Sequence, residues 1–287
     1  MDVKEILDFG TTILKKAGVE NPRLEAEILL SYILDCDRVY FYAHPQEKVD
    51  QLQKEAYLKG LVRRCENEPM AYIFGKKEFM GMSFEVSPDV LIPRPDTEPM
   101  VEYLIQRLTN DYPKGAKIFD LCTGSGAIGI ALKKFYPQGE IALGDISTEA
   151  LRVAGANAKQ LVKGAVTLYQ GDLFAALPKD EKFDVIVSNP PYIKRMDMQA
   201  LAPDILNYEP HLALDGGSSG LDFYERIIAE ARDYLKTPGI LALEIGDDQE
   251  VSVIDLLVKH GYANIEKHYD LGSHVRCLVG EHIEKKS

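Results

Sequence analysis

The chain has 287 residues, 46% of them apolar, enough to bury one large core or a medium domain plus a small one. Its formal charge of -12 disfavours a protein that grips nucleic acid mainly through phosphates, which requires a net basic face. Cys36, Cys65, Cys122 and Cys277 are far apart with no Cys-x-x-Cys pair, so neither a zinc site nor a disulfide framework is expected.

The N-terminus lacks a signal-peptide pattern, and no apolar run approaches membrane-spanning length, so a soluble protein of the reducing cytoplasm is expected. Residues 1–75 read as helical. Val3, Ile6, Leu7, Ile13, Leu14 and Ala17 recur at helical spacing, Asn21-Pro22 opens a second helix, and a third spans Gln51 to Arg64. From Glu78 to Val90 short extended pieces predict a β-hairpin, so residues 76–99 form a linker. Residues 100–287 form the second domain, starting with a helix near Met100 to Leu108.

After Gly115 strands and helices alternate. Strands are expected at Lys117–Leu121, Glu140–Asp145, Val166–Tyr169, Phe183–Ser188 and Gly239–Ile245. Helices are expected at Ala127–Tyr136, Ser147–Gln160 with Ser147 as cap, Asp222–Leu235 and Gln249–Lys259. Two closing extended runs, Asn264–Tyr269 and Val275–Val279, read as an antiparallel edge hairpin, and the tail from Glu281 to Ser287 as disordered. The fold class is therefore α/β, a Rossmann-like sheet with an antiparallel edge hairpin plus a small all-helical N-terminal domain. Ligands bind such sheets at the carboxyl ends of the strands.

Gly124-Ser125-Gly126-Ala127-Ile128-Gly129 follows a strand and opens a helix. Its glycines admit a ligand close to the backbone, and Asp145 at the next strand end reads vicinal ribose hydroxyls, which S-adenosylmethionine and NAD share. Asp120 tilts the choice, because a carboxylate there repels a pyrophosphate and suits an ammonium or sulfonium. Asp172 is placed to accept from an adenine amino group, with Leu173 or Phe174 packed on the ring.

Asn189-Pro190-Pro191-Tyr192 closes an apolar strand. The Asn189 side-chain carbonyl and the Pro190 backbone carbonyl are two acceptors for one NH2, and the prolines fix two φ angles while removing competing donors. Tyr192 offers a flat face for a planar group. A conjugated nitrogen is a poor nucleophile, so two fixed acceptors that strengthen as it turns cationic fit attack on a methyl sulfonium.

With these motifs, the chain resembles the class I S-adenosylmethionine-dependent methyltransferases, and among them the HemK or PrmC family of peptide-chain release factor N5-glutamine methyltransferases. The resemblance extends to Pro69–Gly75, the run Leu91-Ile92-Pro93-Arg94-Pro95-Asp96-Thr97-Glu98, Tyr208-Glu209-Pro210, Gly216-Gly217 with Gly220-Leu221-Asp222, Glu244-Ile245-Gly246, and Asp270-Leu271-Gly272 with Arg276. It implies methylation of the glutamine side-chain amide in the Gly-Gly-Gln motif of class I release factors, with the helical domain docking on the release factor. It also implies that Cys122, Thr123, Gly124, Ser125, Gly126, Asp145, Asp172, Leu173 and Asn189 line the cofactor site, and that Asn189, Pro190, Pro191 and Tyr192 hold the amide. No metal and no stable nucleic acid partner are implied.

Arg94, Thr97 and Glu98 read either as groups closing over the substrate or as a linker ion pair and helix cap. Glu209 and His211 lie in a loop that reads as a lid, with His211 left out of the chemistry. Two other readings share parts of the pattern: a methyltransferase acting on a flipped adenine or guanine, and an NAD enzyme or non-catalytic binding module built on the glycine turn.

Overall fold

The computed structural model describes residues 1–270 and 272–284. The chain divides into two compact units, one made of Met1–Gly75 with Ala202–Tyr208, the other of Lys76–Leu201 with the chain from Glu209 onward.

In the first unit, helices α1 (Val3–Lys16), α2 (Pro22–Leu34), α3 (Val39–Ala43), α4 (Gln51–Cys65) and α5 (Met70–Phe74) enclose a core that includes Ile6, Leu14, Leu30, Tyr57 and Leu61. The starts of α1 and α4 follow from capping boxes, in which Asp2 pairs with Glu5 and Asp50 with Gln53, each satisfying two backbone donors. Pro22 occupies the first turn of α2, where its missing N–H is no loss. The short helices α3 and α5 have too few residues to produce a periodic pattern in the sequence.

The second unit opens with a hairpin, β1 (Lys76–Phe79) and β2 (Met82–Glu85), then α6 (Glu98–Asp111). Strands β3 (Lys117–Leu121), β4 (Glu140–Asp145), β5 (Val166–Gln170) and β6 (Phe183–Ser188) follow, with α7 (Ala127–Phe135) and α8 (Thr148–Val162) between the first three. After α9 (Pro203–Tyr208), which belongs to the first unit, come α10 (Asp222–Ala231), β7 (Leu235–Glu244), α11 (Glu250–Lys259), β8 (Ala263–Tyr269) and β9 (Val275–His282). Among the described residues the main sheet has seven strands in the order β5-β4-β3-β6-β7-β9-β8, parallel up to β7 and antiparallel at β9 and β8. This is the expected Rossmann-like sheet with its antiparallel edge.

Alternation along the strands splits the core between the two faces of the sheet. Ile118, Val185, Val187 and Ile240 pack on one side with α6, α7 and α8, and Phe79, Met82 and Phe84 of the hairpin bury in that same cluster. Phe119, Leu121, Ile186 and Leu241 pack on the other with α10 and α11.

Two boundaries differ from expectation. The helix begun at Asp222 stops at Ala231, and Leu235 starts a strand, because Leu235 is buried and pairs with Phe183. A register shift before Val185 absorbs the Thr237-Pro238-Gly239 segment. In the tail, Glu281 and His282 pair with Ile240 and Gly239 as part of β9, whereas 285–287, like Leu271, lie outside the described residues.

Phe119 is fully buried and stacks on Phe183 with ring centroids 5.0 Å apart. Phe119→Ala is expected to cost about 3–5 kcal/mol through lost burial and the cavity left behind, read as a lower midpoint of chemical unfolding.

Candidate active site

The chain leaves β3 for β4 on one side and later returns to β6 on the other, so a crevice opens at their carboxyl ends. A cavity of about 300 Å³ occupies it, at the lower end of the range for small-molecule sites. Its wall holds Cys122 after β3, Asp145 at the end of β4, Asp172 and Leu173 after β5, and Asn189 after β6.

The turn after β3 is held from below by Asp120, which is fully buried and accepts through Oδ2 from the Thr123 hydroxyl at 2.5 Å and the Gly129 N–H at 2.9 Å. Burial pushes its carboxyl up to about 7 despite these bonds. Asp145 closes the turn from the β4 side, accepting from the Gly124 N–H at 2.9 Å and, through its other oxygen, from the Ser147 N–H at 3.0 Å. Burial raises its carboxyl above the ordinary range, partly opposed by those backbone donors. Cys122 and Leu173, both in the wall, sit in the left-handed region at φ 59° and 50°, a strained conformation for residues with a β-carbon.

The turn after β6 is bracketed on its outer side. The Gln249 side-chain amide donates to the Tyr192 carbonyl at 2.9 Å and the Gly220 carbonyl at 3.0 Å, and accepts from the Gly246 N–H at 2.9 Å. Gly216 lies so close that a β-carbon there would stand 2.7 Å from the Tyr192 backbone. Leu91 on one segment and Pro210, Leu212 and Ala213 on another complete the cavity wall, and Glu209 ties the two segments together. Its buried carboxylate pairs with the Arg94 guanidinium and accepts from the Ile92 N–H at 3.2 Å.

The family model for the PrmC N-terminal domain matches residues 5–75, and that for the methyltransferase small domain matches residues 97–268. The release factor glutamine methyltransferase of Geobacter sulfurreducens is 42% identical over 264 residues, covering 91% of this chain and 90% of that protein. The chain belongs to the release factor glutamine methyltransferase family. The family member from Clostridium acetobutylicum is 38% identical over 282 residues, covering 97% of this chain and 98% of that protein. A methyltransferase structure from Pyrococcus furiosus has the same fold, with a TM-score of 0.53 and 19% identity over 82% of this chain and 100% of that one.

Release factor glutamine methyltransferases use S-adenosylmethionine, and the cavity fits it. A β-carbon built on Gly124 meets nothing within 4 Å, so its backbone faces open cavity, beside a carboxylate at Asp145 suited to paired hydroxyls. Of the other expected site residues, Thr123, Ser125 and Gly126 do not line the cavity. Thr123 is spent on Asp120, the Ser125 carbonyl accepts from Asn157 at 2.9 Å, and a β-carbon on Gly126 would run into Ile130 and Ala154. Asp172 pairs with Arg226 at 2.8 Å. Between Leu173 and Phe174, Leu173 is in the wall, while Phe174 is buried and stacks on Tyr234. Pro191 lines this cavity, whereas Tyr192 lines a neighbouring one of about 230 Å³ with Arg276.

Arg94, Thr97 and Glu98 are all engaged within this unit: Arg94 with Glu209, Thr97 with Glu244, and Glu98 with the Met80 N–H at 2.7 Å. Phe223, Arg226 and Gln249 escaped the sequence reading, since each sits in an ordinary amphipathic helix or at its cap.

Asp145→Ala is expected to weaken S-adenosylmethionine binding about 10–100-fold, the scale of hydrogen bonds to a charged group. Calorimetric titration reads this directly, and an unchanged Kd would take Asp145 out of the cofactor site.

Proposed function

We propose that this chain transfers a methyl group from S-adenosylmethionine to the side-chain amide nitrogen of the glutamine in the Gly-Gly-Gln motif of class I peptide-chain release factors. The observation that carries this reading is Asn189 at the wall of the cavity, in a turn that two prolines make rigid, within a chain of this family. In this proposal the helical unit docks on the release factor, and the reaction takes place in the cytoplasm without nucleic acid or membrane as partner. Among the described residues no helix is long and apolar enough to cross a membrane.

Asn189 and the Pro190 carbonyl accept from the two N–H bonds of the glutamine amide, and Pro191 bounds the planar group. When bound, S-adenosylmethionine would supply a methyl group from a positively charged sulfur, the methyl carbon–sulfur bond breaking as the carbon–nitrogen bond forms and a neutral thioether leaving. The nitrogen lone pair is delocalised into its carbonyl, so attack makes the nitrogen cationic. Two such acceptors interact more strongly with N–H bonds of that cation than with the neutral amide. Holding the nitrogen in line lowers the barrier further by removing the entropy of alignment. The methylated amide then loses a proton to solvent, because an N-alkylated amide cation is strongly acidic and needs no strong base.

The primary test incubates the purified chain with labelled S-adenosylmethionine and a class I release factor, with a Gly-Gly-Ala version of the factor as control. Label on the first and none on the second is expected; label only on nucleic acid added in parallel would overturn the reading. Asn189→Ala is expected to slow methylation about 10²–10³-fold while cofactor affinity changes far less. Equal losses in both would remove Asn189 from the amide. Replacing the acceptor glutamine by glutamate is expected to abolish transfer, because a carboxylate brings acceptors to a site made of acceptors.

A further inference from the structure

Glu244 ends β7, next to β6, and is buried with 3% of its surface exposed. The pairing of Ser188 with Leu243 puts Asn189 and Glu244 side by side one step further along. The Thr97 hydroxyl donates to the Glu244 Oε2 at 2.6 Å, and the Asn189 side chain stands close enough to the carboxylate to favour its charged form. An asparagine amide has two ends of nearly equal shape and opposite chemistry, NH2 and carbonyl. A carboxylate offers only acceptors, so it binds the NH2 end and turns the carbonyl away from itself.

We propose that Glu244, fixed by Thr97, is a positioning residue that sets the flip of Asn189, so that Asn189 presents its carbonyl oxygen to the acceptor amide. The inference rests on the glutamine-methylating reading above. A buried acid is costly to keep, and this role accounts for it: without it, Asn189 is free to present NH2 to an NH2.

The charge state of Glu244 matters for the same reason. Burial pushes its carboxyl up to about 7, opposed by the hydrogen bond from Thr97, the Arg276 guanidinium and the nearby Asn189 amide, and aided by Asp96. Tyr192, Tyr224 and Cys277 also face it, all held neutral by burial. A protonated Glu244 offers one donor and loses acceptor capacity, so Asn189 is correctly turned on the alkaline side of that pKa.

The experiment compares wild type, Glu244→Gln, Thr97→Val and Thr97→Ser with S-adenosylmethionine and a class I release factor from about pH 6 to 9. Glutamine at 244 can present its own NH2 to Asn189, favouring the wrong flip. Expected for Glu244→Gln is a kcat about 10–100-fold lower with KM for the cofactor within about twofold, as for a misaligned reacting group. Wild-type kcat should fall below about pH 7 and this limb should be absent from Glu244→Gln. Thr97→Val should lose kcat in the same direction, and Thr97→Ser should recover it. The inference is overturned if Glu244→Gln matches wild-type kcat, keeps the acidic limb, or loses cofactor affinity in step with kcat, or if Thr97→Ser is no better than Thr97→Val. A wild type that leaves the release factor unmethylated sinks the functional reading itself, whatever the variants do.

Discussion

The structure depends on parallel pairing around β3. Leu121 pairs with Gly144 on one side and Ser188 on the other, and Ser188 pairs in turn with Leu243. That register leaves no freedom about where the chain emerges: Cys122, Asp145, Asn189 and Glu244 stand along one edge of the sheet. Since the chain turns away from β3 in opposite directions, the loops part there and leave the cavity between them. A one-residue slip would reverse every side chain, removing the acids and the asparagine from the edge together.

The turns on that edge are stiffened in different ways. After β3, the buried Asp120 ties the hydroxyl of Thr123 to the first turn of α7. After β6, prolines fix the chain from within and Gln249 grips it from outside. Cys122 and Leu173 are held in left-handed conformations that only a well-determined surround can impose. Rigidity of this kind suits chemistry in which alignment and fixed acceptors, rather than a strong base, lower the barrier. Asp120 and Glu244 are both buried carboxyls pushed to about 7, yet Asp120 serves the backbone and Glu244 faces a side chain at the cavity.

Much of this was legible in the sequence because it is local. Ser147 as a helix cap, the alternation of Ile118 and Phe119, and the glycine turn at Gly124 each involve neighbours a few residues apart, where spacing reports on structure. The place of Asn189 at the cavity wall was legible because prolines mark it. The spent roles of Thr123, Ser125 and Gly126 were not, since a motif names the residues of a turn without saying which face the ligand and which face the core. The bond from Thr97 to Glu244 spans 147 residues, and Glu209 reaches Ile92 across 117, distances at which no periodicity carries information. The start of β7 at Leu235 was hidden for a related reason: its partner Phe183 overrode a helical pattern that ran on from Asp222.

Compactness and chain order disagree about where the helical unit ends. Ala202–Tyr208 belongs with residues 1–75, although it lies between the Asn189–Tyr192 turn and the Glu209 clasp. The polypeptide therefore passes from one unit to the other three times, at 75 to 76, 201 to 202 and 208 to 209. A unit joined at one point can be cut off or exchanged as a module, but this one cannot. Removing residues 1–75 would leave Ala202–Tyr208 without its neighbours, including the Glu66 carbonyl that accepts from the Tyr208 hydroxyl at 2.9 Å. Cutting the chain at the single junction after Gly75 therefore does not separate the two units, since Ala202–Tyr208 stays behind.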